Sequence, residues 1–262
     1  MNVFLLELKQ NLRSFVFWMI GMGFLMYAGI AKATALNAEA SAVNQLFMNW
    51  PKAVLATFGF AGLDITTLAG YFGCMWFYAA LCMALFAIGL GVRLTTLEIN
   101  DKNADFIYAK PLRRSSVLTA KTVAHIIYII LFAAFTYAFS LLGIISLGEK
   151  NTINTEMILL CIALVFIGLI YYGIGALAGA ISPRKGGLAS YLVFMATYVI
   201  GIFYDIADKG QPLIQVFAPM KYFDPVKLLD TMKLPVGYII WSIVLFAGLL
   251  IAANIIMSRK DL

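Results

Sequence analysis

The sequence predicts an all-α membrane protein that crosses the bilayer six times. Hydrophobic residues make up 63% of the 262 residues, above the roughly half that is usual in a soluble domain, and the mean hydropathy is +0.91. A bilayer core about 30 Å thick requires about 20 apolar residues in a helix. Six runs are long enough, and none alternates as outer-membrane strands do. They cover residues 15–35, 68–95, 117–147, 157–181, 188–206 and 236–257, and we expect one membrane domain over residues 1–262.

Residues 2–14 predict an amphipathic helix before the first span. Apolar residues recur at helical spacing from Phe4 to Phe15, while Glu7 and Arg13 lie on other faces. Such a segment suits a helix lying at the cytoplasmic interface, and the alternative is a simple extension of the first span. Because charges precede the first apolar run and only a weak cleavage-site mimic follows it, we expect this span to be retained and not removed as a signal peptide.

The distribution of charge predicts that both termini are cytoplasmic. With six spans the two termini lie on one side. If that side is the cytoplasm, 12 of the 19 Lys and Arg residues, including every Arg, lie in inner segments and seven lie in outer ones. This asymmetry follows the positive-inside rule. The formal net charge of +6 is then explained by the topology and by contact with anionic lipid headgroups. Outside these segments the sequence has no basic stripe, so nucleic-acid binding is disfavoured.

The segments between the spans carry their own signals. Asp64 is expected to cap the second span, and short polar turns at residues 148–156 and 182–187 separate the third, fourth and fifth spans. Residues 207–235 are too polar to span the bilayer and too apolar for a free loop. Within them, Asp224 followed by Pro225 is typical of an N-cap and a first-turn proline, which predicts a short helix over Val226–Met232. We expect one or two short re-entrant or surface helices on the outer side.

The sequence lacks the motifs of a self-sufficient enzyme. No GxxxxGK[ST] phosphate loop, HExxH or GxSxG motif is present, and no metal-ligand spacing occurs. The single histidine, His125, lies one helical turn after Lys121, and we interpret it as a structural hydrogen-bonding residue, with a proton relay as the alternative. The three Cys residues lie in apolar spans, so free thiols are expected. The span centres hold essentially no Asp, Glu, Lys or Arg, which disfavours an ion-coupled carrier.

The densest charge lies between the second and third spans, in residues 97–121. Glu98 and Lys102 are four residues apart, as are Asp101 and Asp105, so each pair would share a helix face. Pro111 would end such a helix, and a basic cluster follows. The pattern predicts a short amphipathic helix, whereas the alternative is a loop whose basic residues only anchor the topology. The candidate functional residues of this segment are Glu98, Asp101, Lys102, Asp105, Phe106, Pro111, Arg113, Arg114 and Lys121.

The stretch from Glu98 to Lys121 resembles a segment of ABC-2-type transporter permeases, which have a type V exporter-like transmembrane domain. The family pattern runs Glu, Gly-Thr, an acidic and apolar patch, Pro, Arg and a downstream Lys. Lys102-Asn103 stands where Gly-Thr is usual, so the start of the helix differs here. The remaining positions match at Glu98, Asp105, Pro111, Arg114 and Lys121.

A second stretch, from Phe217 to Asp224, is similar to the proline-aromatic stretch that precedes the last span of these permeases. Six spans and an amphipathic N-terminal helix also fit, so the resemblance covers essentially the whole chain. By the resemblance, the short outer helices form an extracellular gate. Its candidate residues are Pro219, Tyr222, Phe223, Asp224 and Pro225.

The resemblance implies a permease subunit of an ATP-driven exporter. Such a subunit would lie in the plasma membrane, which in bacteria is the cytoplasmic membrane. Two such subunits, identical or different, would form a dimer, and a separate ATPase subunit would dock on each. The segment after Glu98 would be the coupling helix that receives force from the ATPase. ATP and Mg²⁺ would then bind only to the partner, so no bound cofactor, metal or catalytic residue is expected in this chain, and it would not be an enzyme.

Two other classes of function are compatible with the residues alone. One is a stand-alone membrane immunity or binding protein that sequesters a peptide or lipid without ATP, and the other is a secondary carrier. For an exporter, the Phe-, Met-, Leu- and Ile-rich spans favour an amphipathic or lipophilic substrate such as a drug, an antimicrobial peptide or a lipid. Apolar side chains in a membrane also serve packing and lipid contact, and the direction of transport depends on the resemblance alone.

Overall fold

The computed structural model describes residues 3–38, 47, 49–100, 114–146, 152–207 and 211–259. Within these ranges the chain forms helices and no strand. Six helices are long and apolar enough to cross a membrane, which confirms the predicted number of spans. They are α1 (Val3–Ala38), α3 (Leu68–Asn100), α4 (Arg114–Ser146), α5 (Asn154–Ile181), α6 (Gly186–Ile206) and α9 (Val236–Ser258). The shorter ones are α2 (Lys52–Thr57), α7 (Pro212–Val216), a 3-10 helix (Pro219–Lys221) and α8 (Pro225–Thr231).

The N-terminal residues do not form a helix of their own. Helix α1 continues for 36 residues from Val3 to Ala38 without a break, so the prediction of a separate amphipathic helix was wrong and the simple extension of the first span is correct. The physical reason lies in Glu7 and Asn11, which are buried against α4. Their polar groups are satisfied by protein partners, so they need no contact with the headgroup water of an interfacial helix.

Helices α3 and α5 form the centre of the bundle. They approach closely because small residues face each other along the contact. A Cβ atom on Gly91 would lie 2.2 Å from the carbonyl oxygen of Tyr172, and one on Gly175 would lie 2.5 Å from the carbonyl oxygen of Ile88. Gly175 begins a Gly-x-x-x-Gly motif on α5, a pattern that permits close helix contact in membranes. Around this pair, α1 packs along α4, and α9 packs along α5.

The segment between α6 and α9 folds back onto the bundle. The side chain of Asp224 accepts a hydrogen bond of 3.2 Å from the backbone N–H of Val226, and Pro225 occupies the first turn of α8. The predicted cap is therefore confirmed. Helix α8 ends at Thr231, one residue before the predicted end, because Met232 adopts a left-handed conformation with φ of 52°. Residues 218–225 are all buried, so this segment is a packed part of the protein.

One predicted cap is wrong. Helix α3 begins at Leu68, and the backbone N–H of Gly70 donates to the side-chain oxygen of Thr67 at 3.1 Å. Thr67 therefore caps the helix. Asp64 instead accepts a hydrogen bond of 3.0 Å from the backbone N–H of Thr66, which stabilises the turn that precedes the cap.

Two buried polar clusters at opposite ends of the bundle

The first cluster is centred on the carboxylate of Glu7, whose side chain is only 2% exposed. One carboxylate oxygen lies 2.9 Å from Nε2 of His125 and accepts a hydrogen bond of 3.0 Å from the amide of Asn11. The other lies 3.5 Å from the ammonium nitrogen of Lys121. A charge buried in a membrane helix is costly unless it is paired and hydrogen-bonded. These three partners meet that requirement.

Asn11 joins this carboxylate to a second cation. Its amide nitrogen donates to Glu7, while its amide oxygen accepts a hydrogen bond of 3.0 Å from the guanidinium of Arg93 on α3. An amide suits this position because it carries both a donor and an acceptor. The bridge ties α1 to α3 in the same way that Glu7 ties α1 to α4.

His125 extends the cluster towards α5. Its Nδ1 atom lies 3.2 Å from the hydroxyl of Tyr172, and that hydroxyl lies 3.4 Å from the side-chain oxygen of Thr122. Nearby, the Tyr128 hydroxyl donates to the carbonyl of Leu8. The cluster thus connects α1, α3, α4 and α5 at one end of the bundle. We call it the inner cluster, after the predicted cytoplasmic side, and it consists of Glu7, Asn11, Arg93, Lys121, His125 and Tyr172.

The second cluster lies at the other end and is centred on a buried ion pair. The ammonium nitrogen of Lys221 lies 2.5 Å from a carboxylate oxygen of Asp205, which is in the last turn of α6. The side chains of Lys221 and Asp205 are 10% and 2% exposed, so water screens their attraction weakly. The amide of Gln215 donates to the backbone carbonyl of Lys221 at 2.7 Å. These contacts hold the 3-10 helix against α6.

Aromatic residues join the same segment to α9 and α5. The Tyr222 hydroxyl donates to the carbonyl of Val216 and accepts a hydrogen bond of 3.2 Å from the indole of Trp241. Burial raises the pKa of the Tyr222 phenol, so it remains a donor at physiological pH. The ring of Phe223 stacks on Phe166 at a centroid distance of 5.7 Å. We call this the outer cluster, and it consists of Asp205, Gln215, Lys221, Tyr222, Phe223 and Trp241.

Beside the outer cluster, a lysine at the surface is paired with a buried tyrosine. The ammonium of Lys227 on α8 donates to the hydroxyl of Tyr204 on α6 at 3.0 Å. This hydrogen bond raises the pKa of the Lys227 ammonium above its ordinary value. The residue therefore stays charged at physiological pH and adds a second link between the outer segment and α6.

The described residues contain no group of three or more His, Cys, Asp or Glu side chains that could hold a metal ion. Cys74, Cys82 and Cys161 are free thiols, as predicted. In each cluster a buried carboxylate faces an ammonium group, Glu7 facing Lys121 and Asp205 facing Lys221. These ion pairs hold the helices of the bundle and the outer segment together.

Residues 1–234 match a family described as ABC-2 family transporter proteins. The chain belongs to the ABC-2 transporter family. No curated protein matches it. As an ABC-2 permease it is the membrane component of an ABC transporter, a multi-pass membrane protein of a family that associates with an ABC ATPase. These statements confirm the family, membrane location and general partner that the sequence predicted.

Most predicted coupling residues of the permease lie outside the described residues, namely Asp101, Lys102, Asp105, Phe106, Pro111 and Arg113. Glu98 lies in the last turn of α3, and Arg114 begins α4. Lys121 is the predicted coupling residue whose side chain is described, and it is buried in the inner cluster beside Glu7. Arg93 lies on α3, five residues before Glu98. The inner cluster therefore contacts both α3 and α4, the helices on either side of residues 101–113.

The predicted gate residues of the permease occupy one continuous buried stretch. Pro219, Tyr222, Phe223, Asp224 and Pro225 are all buried. The structure brings Tyr222 to α9 and Phe223 to α5, while Asp224 caps α8. Sequence reasoning missed Asp205 and Gln215, which hold this stretch in place.

The inner cluster was also missed as a unit. Two signals in the sequence could have revealed it: Glu7 and Asn11 are four residues apart, and so are Lys121 and His125. Each pair therefore shares a helix face. Complementary polar pairs on two membrane helices indicate a buried contact between them, and here α1 and α4 form that contact.

Proposed function

We propose that this ABC-2 permease couples ATP hydrolysis by a separate ABC ATPase to the export of an amphipathic or lipophilic molecule. The observation that carries the proposal is the inner cluster, in which one carboxylate on α1 binds groups from α4 and, through Asn11, from α3. These are the two helices that flank residues 101–113. A displacement of that segment would therefore move three helices together.

In this mechanism the coupling residues lie on a segment seated on the ATPase. The predicted set runs from Glu98 to Arg114, and Lys121 transmits the displacement to Glu7. Because separating a buried ion pair leaves an uncompensated charge, the Glu7–Lys121 contact favours movement of α1 together with α4. The bundle would then switch between two packings when the ATPase closes. ATP and Mg²⁺ bind to the partner, and the permease contributes no catalytic residue or metal site.

The outer cluster is proposed as the extracellular gate. The buried stretch 218–225 is held to α6 by the Lys221–Asp205 pair and to α9 by the Tyr222–Trp241 hydrogen bond. Release of these contacts would free one short segment without unfolding a span. This supports a gate that opens locally when α6 and α9 shift.

The dimer and the substrate class have separate support. Helix α6 has a largely exposed apolar face that includes Leu188, Leu192 and Phe203, and we propose that a second permease subunit, identical or related, packs there.

The substrate class is supported by the position of the buried charges. In the described spans the buried charged groups lie near the two ends. The middle of the described bundle carries buried hydroxyl groups but no buried charge, which suits an amphipathic or lipophilic cargo better than a small ion.

The test uses the permease purified with its ABC ATPase in lipid nanodiscs. ATPase activity is measured with and without a panel of lipophilic antibiotics, peptides and lipids. Glu98→Ala and Asp105→Lys are expected to lower substrate-stimulated activity while the complex stays intact. The matched control is Asp230→Lys on the exposed surface of α8 at the opposite end.

Two results would count against the proposal. Unchanged stimulation in both coupling variants would remove the coupling role of this segment. A permease that never co-purifies with an ATPase yet binds peptide or lipid would instead favour the stand-alone immunity or binding protein.

A further inference from the structure

A crevice of about 260 Å³ opens beside the inner cluster, between α3, α4 and α9. Helix α9 packs mainly on α5, which leaves this gap on its other side. The mouth of the crevice is formed by apolar side chains at the surface, Val123 and Ile251, which are 45% and 60% exposed. With the N terminus in the cytoplasm, as predicted, this mouth opens sideways into the inner half of the bilayer.

The walls of the crevice combine apolar surface with uncharged hydrogen-bonding groups. Leu94 and Met257 contribute apolar surface, while Thr95, Thr119, Thr122 and Asn254 contribute three hydroxyls and an amide. Among the described residues, no charged side chain lines it. Lys121 is next in sequence to Thr122 but turns into the inner cluster, where it pairs with Glu7. A charged head group placed here would lose its hydration without gaining a counter-charge.

Asn254 is the polar group that most requires a ligand. It is the one amide side chain in the 23 residues of α9, it is exposed on a membrane-spanning helix, and its side chain makes no hydrogen bond with another described residue. An amide carries both donor and acceptor groups, and no described side chain uses those of Asn254. Its neighbours in the crevice are hydroxyl groups, so a ligand with hydroxyl or amide groups would complete the set.

We propose that this crevice is a binding site for an uncharged amphipathic molecule that enters from the inner leaflet. The head group, bearing hydroxyl or amide groups, binds Asn254 and Thr122, and the hydrocarbon chain leaves between Val123 and Ile251. Thr122 is linked through Tyr172 to His125 and Glu7. Occupancy of the crevice is therefore joined to the inner cluster by a short chain of hydrogen bonds. The use of this crevice as a loading site for cargo rests on the proposed export function. Binding of the molecule to the crevice does not depend on that function.

The experiment uses the full-length permease in phosphatidylcholine nanodiscs without the ATPase, so its outcome does not depend on coupling. The probe is a monoacylglycerol with a photoactivatable diazirine in its acyl chain. Two matched probes carry the same chain on a phosphate or on a trimethylammonium head. After irradiation, labelled peptides are identified by mass spectrometry. The neutral probe is expected to label residues around 118–123 and 250–257 several-fold more than either charged probe.

Single substitutions test the hydrogen-bonding groups. Loss of one hydrogen bond should reduce labelling by the neutral probe roughly two- to tenfold, so this reduction is expected for Asn254→Leu and for Thr122→Val. Thr122→Ser keeps the hydroxyl and should restore labelling. Ser258→Ala lies one turn further along α9, outside the crevice, and serves as the control. Thermal unfolding of each variant in the same nanodiscs establishes that it is folded.

Three results would overturn the proposal. Equal labelling by the charged probes would show that the absence of charge in the walls has no role in selection. Unchanged labelling in Asn254→Leu would remove the residue on which the proposal depends. A disulfide between two Asn254→Cys chains, formed without competition from the neutral probe, would assign the crevice to a contact between permease subunits.

Discussion

Glu7 and His125 are 118 residues apart in the chain, and their side chains meet at 2.9 Å inside the helix bundle. Both are buried, and the same carboxylate also faces Lys121 at 3.5 Å. One acidic residue near the N terminus therefore neutralises the inner end of α4. This relationship explains why α1 runs as one helix from Val3, and it leads to the first prediction.

Replacing Glu7 by Gln is expected to destabilise the permease by about 3–5 kcal/mol, because the buried ammonium of Lys121 would lose the carboxylate that lies 3.5 Å away. Thermal unfolding in nanodiscs measures the effect. Lys9→Met is the control, since Lys9 lies on the exposed side of the same helix. The double variant Glu7→Gln with Lys121→Met removes both charges and should recover part of the loss. A double variant no more stable than Glu7→Gln would show that Lys121 is not the decisive partner.

The contact between α3 and α5 predicts opposite results for two glycines. Gly91→Ala is expected to destabilise the fold by about 1–3 kcal/mol, because its Cβ would lie 2.2 Å from the backbone oxygen of Tyr172. Gly248→Ala should be neutral or stabilising by up to about 1 kcal/mol, since no atom lies within 4 Å of the new Cβ and alanine favours the helix. Thermal unfolding distinguishes the two signs. Equal effects at both positions would contradict the close approach of α3 and α5.

Asp205→Asn is expected to loosen the outer segment. The substitution removes the negative charge 2.5 Å from Lys221 and leaves a buried ammonium without its counter-charge. Hydrogen exchange followed by mass spectrometry should show faster exchange at residues 218–225. The exchange rate should rise about tenfold for each 1.4 kcal/mol by which the free energy of local opening falls. Exchange in α3 should be unchanged. Asp230→Asn on α8 is the surface control, and equal exchange in the two variants would count against the role of the ion pair.

Asp224 permits a test of the helix cap alone. Asp224→Ala removes the acceptor for the backbone N–H of Val226 and is expected to cost about 0.5–2 kcal/mol. Asp224→Asn keeps an oxygen at the same position and should retain most of the stability. Unfolding of the two variants in parallel provides the measurement. If the two variants lost the same amount, the charge of Asp224 would matter more than its capping oxygen.

Local patterns in the sequence were sufficient for several features. The number of spans follows from the length and hydropathy of each run, because each helix in a bilayer must satisfy its own backbone hydrogen bonds. The cap at Asp224 and the first-turn Pro225 were predicted for the same reason, since both act within one turn of helix. The family resemblance also came from local stretches, and the match over residues 1–234 confirms it.

The features that required the tertiary structure depend on contacts between distant residues. The pattern of residues 2–14 predicts a helix at the interface and is also compatible with the start of a span, and burial of Glu7 against His125 decided for the second. Lys121 belongs by sequence to a charged segment facing water, yet packing turns it into the bundle. Asp205 and Lys221 likewise pair only because α6 and the outer segment fold together. By itself the sequence determined where the helices run and the family to which the chain belongs. Only the tertiary structure decided which polar faces meet, because a buried charge is stabilised by whichever partner the packing of other helices brings within reach.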